Sequence, residues 1–384
     1  MATPKLSVCI PYKQRLVNLR LAFEGLSRQT MDRSEFEVVV GAMEYSAEYV
    51  DTCLEFADRL DIVSVVSSRD FAIPRARNLA MRQATGEVIV QMDADTLLPA
   101  DGLRNLYDRH FAFGQDICVV GQVVGYGNNQ DGDVESVESR PYAQYAAALA
   151  ELAASPDWPA DPRFQTAHVI PWAFGWTGLI ALRRATVHAR DLFFDEDFHG
   201  WGVDDLEWSY RICASGTPIV LCPDVYALHL PHVRDASANR ATEERNFRRF
   251  LTKWPGPDVE LAQAFGDVAA NDLYLEYAAQ LGRIAAGRRL GSLRGSADGR
   301  EVVMTGVPFD AQGRADAAIL RAFDNAADVE HLALAGLALP YDDKSVDECR
   351  VMPAISGLPA RYLDAAVTEA DRIAKQVLIL ADAE

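Results

Sequence analysis

The chain has 384 residues, of which 49% are hydrophobic and 24% charged. This composition is typical of a globular protein with a sizeable core and argues against disordered and fibrous classes. The formal net charge of −19 argues against nucleic acid as a partner. The sequence contains no run of about 18 apolar residues, so we expect no integral membrane segment. We therefore expect a cytoplasmic protein, whose six scattered cysteines predict neither disulfides nor a zinc site.

The first quarter of the chain alternates predicted strands with predicted helices. Short apolar runs at 6–10, 36–40 and 62–66 read as buried strands, and helical spacing of apolar residues follows at 18–28 and after Ser46. Strands and helices in this order predict βαβ units and a mainly parallel sheet, which gives an α/β fold class. Such sheets bind ligands at the carboxyl ends of their strands.

A fourth strand runs directly into two aspartates. In the segment EVIVQMDADTLLP the apolar residues 88–90 precede Asp93 and Asp95, and Pro99 closes the segment. Carboxylates at a strand end could approach one hard cation, with the oxygens of a ligand diphosphate as further ligands. The alternative is a solvated acidic loop, because a DxD motif alone is a weak signal.

Two arginines precede the fourth strand. Arg75 and Arg77 lie near a predicted helix start, where they could bind phosphate or base oxygens of a ligand. The competing interpretation is a pair of surface salt bridges with Asp70 and Glu87.

The middle of the chain is less regular. A polar, glycine-bearing loop at 123–133, a helix at 140–154 and a proline-rich link at 156–162 predict either acceptor recognition or a surface insertion. In the following segment WAFGWTGLIALRR, Trp172 and Trp176 are candidates for stacking on a sugar or for burial in the core, and Trp176 is the better sugar candidate.

A second acidic motif occurs at 194–215, FDEDFHGWGVDDLEWSYRICAS. Asp204 and Asp205 are placed where a helix begins, so they are either helix caps or a catalytic pair. The field of the helix would keep an aspartate ionised, as a general base must be. Downstream, His229 or else His232 could be a metal ligand, although an ordinary half-buried histidine is the alternative. The polar stretch 234–249 predicts a solvated helix or a flexible lid.

These motifs resemble the nucleotide-binding half of family-two glycosyltransferases with the Rossmann-like GT-A fold. The resemblance rests on LSVCIPYKQRLVNLRLAFEGL, FEVVVGA and IPRARNLAMRQATGEVIVQMDAD. It implies that Asp95 binds Mn²⁺ or Mg²⁺ through the donor diphosphate and that Asp93 contacts ribose or metal. It also implies that Pro11 and Tyr12 lie by the nucleotide and that Arg77 approaches uracil or phosphate.

The segment FHGWGVDDLEWSYR resembles the W-G-x-[ED]-D element of β1,4-galactosyltransferases, chondroitin-type polymerases and polypeptide N-acetylgalactosaminyltransferases. This resemblance implies that Asp205 is the catalytic base, that Asp204 binds sugar and that His229 completes the metal site. One departure concerns the base: many relatives carry an Asp-Asp-Gly type signature after the second strand, whereas this chain has GAMEYS, in which Glu44 could substitute.

The last third resembles the later half of a class I methyltransferase without its glycine-rich opening. We predict a GT-A domain at 1–255, a helical segment and linker at 256–300, in which GSLRGSADGR at 291–300 is the linker, and a small α/β domain at 301–384 that could dock a protein. The whole chain predicts an inverting, metal-dependent hexosyl- or N-acetylhexosaminyltransferase that uses a nucleotide-sugar, with UDP as the expected nucleotide, and a hydroxyl-bearing glycan, peptide or small natural product as acceptor. A nucleotidyltransferase and a non-catalytic sugar-nucleotide-binding scaffold are the alternatives.

Overall fold

The structure is a computed structural model that describes residues 3–125, 134, 136–138, 140–155 and 162–381. The chain divides into two compact units, one built from Met1–Ala167 and Pro171–Asn246 and the other from His168–Ile170 and Phe247–Glu384. Most of the predicted loop at 123–133 and of the proline-rich link at 156–162 lies outside the described residues.

The first unit contains a mixed sheet. Its strands are β1 Leu6–Tyr12, β2 Phe36–Ala42, β3 Ile62–Val66, β4 Val88–Met92, β5 Thr96–Leu97, β6 Cys118–Val124, β7 Leu179–Arg183 and β8 Ile219–His229. Over the described residues the order is β3-β2-β1-β4-β7-β6-β8-β5, with β1 to β4 parallel and β7 and β5 antiparallel to their neighbours. This confirms the predicted α/β class and the first four strands.

Helices cover this sheet. Those of the first unit are α1 Leu16–Leu26, α2 Ala47–Phe56, α3 Ile73–Gln83, α4 Gly102–His110, α5 Tyr142–Ala153, α6 Arg184–Ala189, α7 Asp204–Ala214 and the larger part of α8 Ala236–Lys253. Short 3₁₀ turns occupy Arg33–Glu35, Pro162–Phe164 and Pro171–Phe174. Helix α3 packs closely on β2: a Cβ atom on Gly41 would lie 1.9 Å from the carbonyl oxygen of Ala76, so glycine is required there.

The second unit has its own sheet, in the order β11-β9-β10-β12-β13 over the described residues. Its elements are α9 Pro257–Phe265, α10 Asp267–Ile284, β9 Arg289–Ala297, β10 Arg300–Phe309, α11 Ala317–Leu320, a 3₁₀ turn Ala326–Asp328, β11 Glu330–Leu332, β12 Val346–Val351, α12 Pro353–Ser356, α13 Ala360–Ile373 and β13 Ala374–Ile379. Strands β10, β12 and β13 are parallel, and β9 and β11 are antiparallel.

The linker predicted at 291–300 is wrong as a description of that segment. Most of it is strand β9, which pairs antiparallel with β10. The glycines and charges of GSLRGSADGR suggested a flexible connection, but Leu293 and Ala297 point into the core of the second unit. Asp298 and Gly299, both with positive φ, form the tight turn to the next strand.

The predicted three-part division at 255 and 300 remains a proposal. Among the described residues, every helix is too short or too polar to cross a lipid bilayer.

Candidate active site

A cavity of about 760 Å³ opens beyond the carboxyl ends of β1 and β4, within the first unit. Six residues predicted from the sequence line it: Pro11, Tyr12, Arg77, Asp93, Asp95 and His229. His232, which the sequence offered as the alternative metal ligand, lines it as well, and so do Arg15 and Trp201, which sequence reasoning did not place in the site. The location is the one that parallel sheets use for ligands.

Asp95, His229 and His232 form a group that could hold a metal ion. The Nε2 atom of His229 lies 3.8 Å from Asp95 Oδ1, and the Nε2 atom of His232 lies 3.5 Å from Asp95 Oδ2. One ligand atom from each residue falls within 4.8 Å of the others. The pairing of Thr96 with His229 across β5 and β8 produces this meeting, because it sets the residue after Asp95 opposite the histidine.

The donor chemistry of this group suits a divalent cation such as Mn²⁺. One carboxylate and two imidazoles are common ligands for such ions. Burial, with Arg15 adding to it, lowers the pKa of His232 to about 4, so its imidazole stays neutral and keeps a lone pair for a metal. The Nδ1 atom of the same ring is buried without a hydrogen-bond partner among the described residues. These residues therefore fit the cation that the sequence motifs predict.

Asp93 does not join this group, contrary to the expectation that both aspartates of the motif approach one cation. Its Oδ1 atom accepts a hydrogen bond of 3.1 Å from Arg77 Nη2. Asp93 and Asp95 are separated by a turn in which Thr96 N donates to Asp93 O, so the two side chains do not share one side as they would in a strand. Asp93 still lines the cavity, but on the side of Arg77.

Arg77 connects the two acidic motifs. This buried guanidinium donates to Asp93, to Asp204 Oδ2 and to Thr177 Oγ1, and it lies over the ring of Phe194 at 5.1 Å. The aspartates raise the pKa of Arg77 against the effect of burial. A residue predicted to touch a ligand thus also carries the structural link between residues far apart in the sequence.

Asp204 and Asp205 begin helix α7, as the sequence predicts. Burial raises the pKa of Asp204 to about 7 even though Arg77 opposes the shift. Burial also raises the pKa of Asp205, against Arg77 and two backbone N–H groups, of which Leu206 N donates to Asp205 Oδ1 at 2.9 Å. Desolvation thus acts against the helix field that was expected to keep these groups ionised. Neither carboxylate lines the cavity.

The turn before α7 has an unusual backbone. Gly200 and Gly202 have φ of 81° and 90°, and Val203 has φ of 72°, which is rare for a β-branched residue. A Cβ atom on Gly200 would lie 2.6 Å from the side chain of Thr242, so glycine is needed where α8 crosses the turn. Strain of this kind concentrates at functional sites.

Helix α8 holds the same turn through side chains. Thr242 Oγ1 accepts from Trp201 N at 3.0 Å, and Asn246 Nδ2 donates to the carbonyl oxygens of His199 and Gly202. Trp201 itself is 44% exposed on the rim of the cavity. The predicted lid or solvated helix at 234–249 is thus a helix that supports the turn before Asp204.

Three residues predicted to bind the donor lie outside the cavity lining. Arg75 donates to Glu196 Oε2 at 3.1 Å and to the carbonyl oxygen of Asp70. The ring of Trp176 lies 4.0 Å from the guanidinium of Arg163. Glu44 Oε1 accepts from Gln14 N at 2.6 Å.

Tyr12 lies in the lining but is 2% exposed, because its ring stacks on Tyr49 at 4.6 Å. The sequence signals for Arg75 and Trp176 came from residue type, which cannot show that a nearby partner already occupies the side chain.

Arg15 and Trp201 were missed for different reasons. Arg15 contacts Asp95 Oδ2, yet 80 residues separate the two and no pattern joins them. Trp201 belongs to the W-G motif that led to Asp205, so the motif itself was the signal that could have identified it.

A second group that could hold a metal consists of His110, Cys222 and Asp224. Here the ring nitrogens of His110 already have partners: Nδ1 lies 3.7 Å from Cys222 Sγ and Nε2 3.1 Å from Asp224 Oδ2. Arg109 also pairs with Asp224. Hydrogen bonding explains this group, which is apart from the cavity lining.

The chain is similar to known glycosyltransferases. Residues 7–157 match the family model of glycosyl transferase family 2. Two proteins called validoxylamine A glucosyltransferase, from Streptomyces hygroscopicus subspecies jinggangensis (strain 5008) and limoneus, are each 28% identical to the chain. The alignments span 98% of this chain and 96% and 90% of those proteins, so both units have counterparts there.

Solved structures show more distant similarity. The mannosyltransferase PcManGT from Pyrobaculum calidifontis, in complex with GDP-Man and Mn²⁺, has 19% identity and a TM-score of 0.46 over 74% of this chain and 76% of its own. TarS 1–349 of S. aureus, in complex with UDP-GlcNAc, has 15% identity and a TM-score of 0.49 over 71% of each chain. The family 2 match at residues 7–157 and the two named relatives together indicate a glycosyltransferase.

Proposed function

We propose that this chain is an inverting, metal-dependent glycosyltransferase that moves a sugar from a nucleotide-sugar to an acceptor hydroxyl. The observation that carries the proposal is the meeting of Asp95, His229 and His232 in a cavity next to Arg77, which reaches the carboxylate pair of α7. A ligand set for a cation and a carboxylate that acts as general base are two parts that a metal-dependent transfer uses.

On the donor side, the diphosphate would lie over Asp95, with Asp93 and Arg77 at the other side of the cavity. Pro11 and Tyr12, at the end of β1, would border the nucleotide. A bound Mn²⁺ or Mg²⁺ would supply Lewis-acid stabilisation of the leaving diphosphate. Asp95, His229 and His232 would hold that ion, and Asp93 would stay with Arg77 and the ribose or sugar.

On the acceptor side, Asp205 is the proposed base. Its carboxylate takes the proton of the acceptor hydroxyl, the oxygen attacks the anomeric carbon, and the bond to phosphate breaks with its electron pair on the diphosphate. A single displacement of this kind inverts the anomeric configuration. Burial raises the pKa of Asp205, which makes its carboxylate a stronger base toward the acceptor hydroxyl.

The names of the relatives suggest which substrates to test first. Both are validoxylamine A glucosyltransferases. We therefore propose glucose as the transferred sugar and validoxylamine A as the first acceptor to test, with UDP as the first nucleotide. Because the alignments include the second unit, we propose that this unit serves the same enzyme, as a structural or protein-docking part.

The rival enzyme, a nucleotidyltransferase, would attack phosphorus and release pyrophosphate. Nothing in the cavity favours it: Asp93 and Asp95 face different partners, whereas a two-metal site needs shared carboxylates. The scaffold alternative would bind nucleotide-sugar without turnover. It does not explain why the turn before Asp205 has a strained backbone.

The test is a reaction of the full chain with UDP-glucose, validoxylamine A and Mn²⁺, in which UDP, pyrophosphate and product mass are measured together. We expect UDP release, a product heavier by one hexose, and an inverted anomeric configuration by NMR. Asp205→Asn should lower turnover at least about 100-fold, the scale of general-base catalysis, whereas the exposed control Asp108→Asn should not. Full turnover in Asp205→Asn would refute the base assignment, and pyrophosphate release would favour the rival.

A further inference from the structure

Arg15 contacts the carboxylate that the proposed cation would need. Its Nη1 atom donates to Asp95 Oδ2, which is the same oxygen that faces His232 Nε2 at 3.5 Å. A cation bound to that oxygen and to the two histidines would stand beside the guanidinium. Because two positive groups on one carboxylate oxygen repel each other, the arginine and the cation compete for Asp95.

The two partners in this contact differ in their freedom to move. Asp95 is 2% exposed and held by its backbone, since Leu230 N donates to Asp95 O at 2.7 Å. The side chain of Arg15 is 42% exposed, and Arg15 is the residue just before helix α1. Arg15 is therefore the freer of the two partners to move.

The cavity offers Arg15 a second partner. Gln14, Arg15 and the first residues of α1 line it, so the guanidinium can turn toward a ligand without any change of the helix. A guanidinium binds phosphate oxygens through two parallel hydrogen bonds. A donor diphosphate in this cavity, bound to the cation, would offer such oxygens to Arg15.

We propose that Arg15 exchanges Asp95 for the donor diphosphate when a divalent cation binds. Arg15 thus stabilises the site by standing in for the cation on Asp95, and it becomes a diphosphate-binding residue once the cation replaces it. The inference rests on the proposed function, because it needs both a cation and a nucleoside diphosphate in this cavity.

The test compares Arg15→Gln with a charge-matched control, Lys13→Gln. Lys13 lines the same cavity two residues away, and its ammonium lies 4.6 Å from the ring of Phe71 instead of on Asp95. Both variants remove one positive charge, so they separate the direct contact from the general field. Mn²⁺ binding to the full chain is measured from the EPR signal of free Mn²⁺, and UDP binding by calorimetry in saturating Mn²⁺.

We expect Arg15→Gln to tighten Mn²⁺ binding by about fivefold or more, the lower end of ordinary coupling between two bound groups. We expect the same variant to weaken UDP binding in Mn²⁺ by about tenfold, the scale of hydrogen bonds to a charged group. Lys13→Gln should leave Mn²⁺ affinity within about twofold of the wild type, below the coupling expected for a displaced contact.

Three results would overturn the exchange: unchanged or weaker Mn²⁺ binding in Arg15→Gln, equal tightening in Lys13→Gln, or unchanged UDP binding in Arg15→Gln. If the wild-type chain binds neither Mn²⁺ nor UDP, the proposed function fails together with the inference. If the wild type binds both and Arg15→Gln changes neither, the inference alone is wrong.

Discussion

The Nε2 atom of His229 lies 3.8 Å from the Oδ1 atom of Asp95, and backbone pairing brings them there. Thr96 pairs with His229 between β5 and β8, and Leu230 N donates to Asp95 O. The approach is therefore built into the sheet and does not depend on an attraction between the two side chains. The pairing would therefore hold two of the three ligands of the proposed cation in place before it binds.

Loss of either histidine should weaken the cation site. We expect His229→Ala and His232→Ala each to lower Mn²⁺ affinity by at least about tenfold, since even removing a group that only supports a metal ligand costs that much. Cys222→Ser, in the other group of ligand-type residues, should leave the affinity unchanged. Titration followed by EPR measures both. Wild-type affinity in the two histidine variants would place the ion elsewhere.

Arg77→Ala should destabilise the first unit. The substitution leaves Asp204 buried without the guanidinium that pairs with it, and it also removes the partner of Asp93. Breaking a buried ion pair in this way costs about 3–5 kcal/mol. Arg77→Lys keeps the charge but cannot reach Asp204, Asp93 and Thr177 together, so it should fall between the wild type and Arg77→Ala. Urea unfolding gives the free energies. A loss below about 1 kcal/mol, the scale of an exposed pair, would show that the network is dispensable.

The stability contributed by Asp204 should fall as the pH rises. Its folded pKa of about 7 is above the ordinary value of 3.8, so between these pH values the folded chain binds more protons than the unfolded chain. The contribution is complete below pH 3.8 and is lost as the pH rises through about 7. We expect the free energy of unfolding of the wild type, minus that of Asp204→Asn, to be smaller at about pH 8 than at about pH 5. The opposite trend would mean that Arg77 keeps Asp204 ionised.

The two tryptophans near α7 should separate binding from stability. Trp201→Ala should raise the KM for substrate with little change in Tm, because the ring is exposed on the cavity rim. Trp176→Ala should lower Tm and leave KM nearly unchanged, because the ring packs on Arg163 outside the lining. Steady-state kinetics and thermal unfolding of both variants test this. A reversed pattern would restore Trp176 as the sugar-stacking residue.

In the second unit, Glu260 should be a strong stabilising residue. Its buried carboxylate accepts backbone N–H groups of Ala335, Gly336 and Leu337 and the hydroxyl of Tyr277. We expect Glu260→Ala to cost at least about 3 kcal/mol in urea unfolding, since it leaves several buried donors unpaired.

The controls for this prediction are one conservative and one exposed substitution. Glu260→Gln keeps an acceptor oxygen and should cost less. Glu276→Ala, in an exposed pair with Arg361, should stay within about 0.5 kcal/mol of the wild type. Equal losses in Glu260→Ala and Glu276→Ala would contradict the role of the buried carboxylate.

The sequence allowed the local features of the fold to be predicted because they leave a periodic signal. Ile62–Val66 is a strand over the residues predicted, and α7 begins at Asp204 as predicted from the acidic pair and the apolar stripe behind it. The apolar run before Asp93 likewise indicated β4. Residue type and position at a strand end then identified much of the cavity.

Contacts between distant segments could not be predicted in the same way. Strand β5 has two residues, too few for any periodicity, yet its pairing with β8 brings His229 to Asp95. The hydrogen bonds from Arg15 to Asp95 and from Arg75 to Glu196 form because separate elements pack together. In the second unit, the polar residues of β9 concealed a strand in which the four consecutive residues 290–293 are buried. Tertiary context decided each of these positions.

The most direct test of the central claim is thermal unfolding of the full chain with UDP, GDP, dTDP and CMP, each with and without Mn²⁺, beside Asp95→Ala. A ligand at about 100 times its Kd stabilises the folded state by about 2.7 kcal/mol, which is readily measured. We predict that UDP stabilises the wild type only when Mn²⁺ is present and does not stabilise Asp95→Ala. Stabilisation by UDP that is equal without Mn²⁺, or that persists in Asp95→Ala, would contradict a cation held by Asp95 in the donor site.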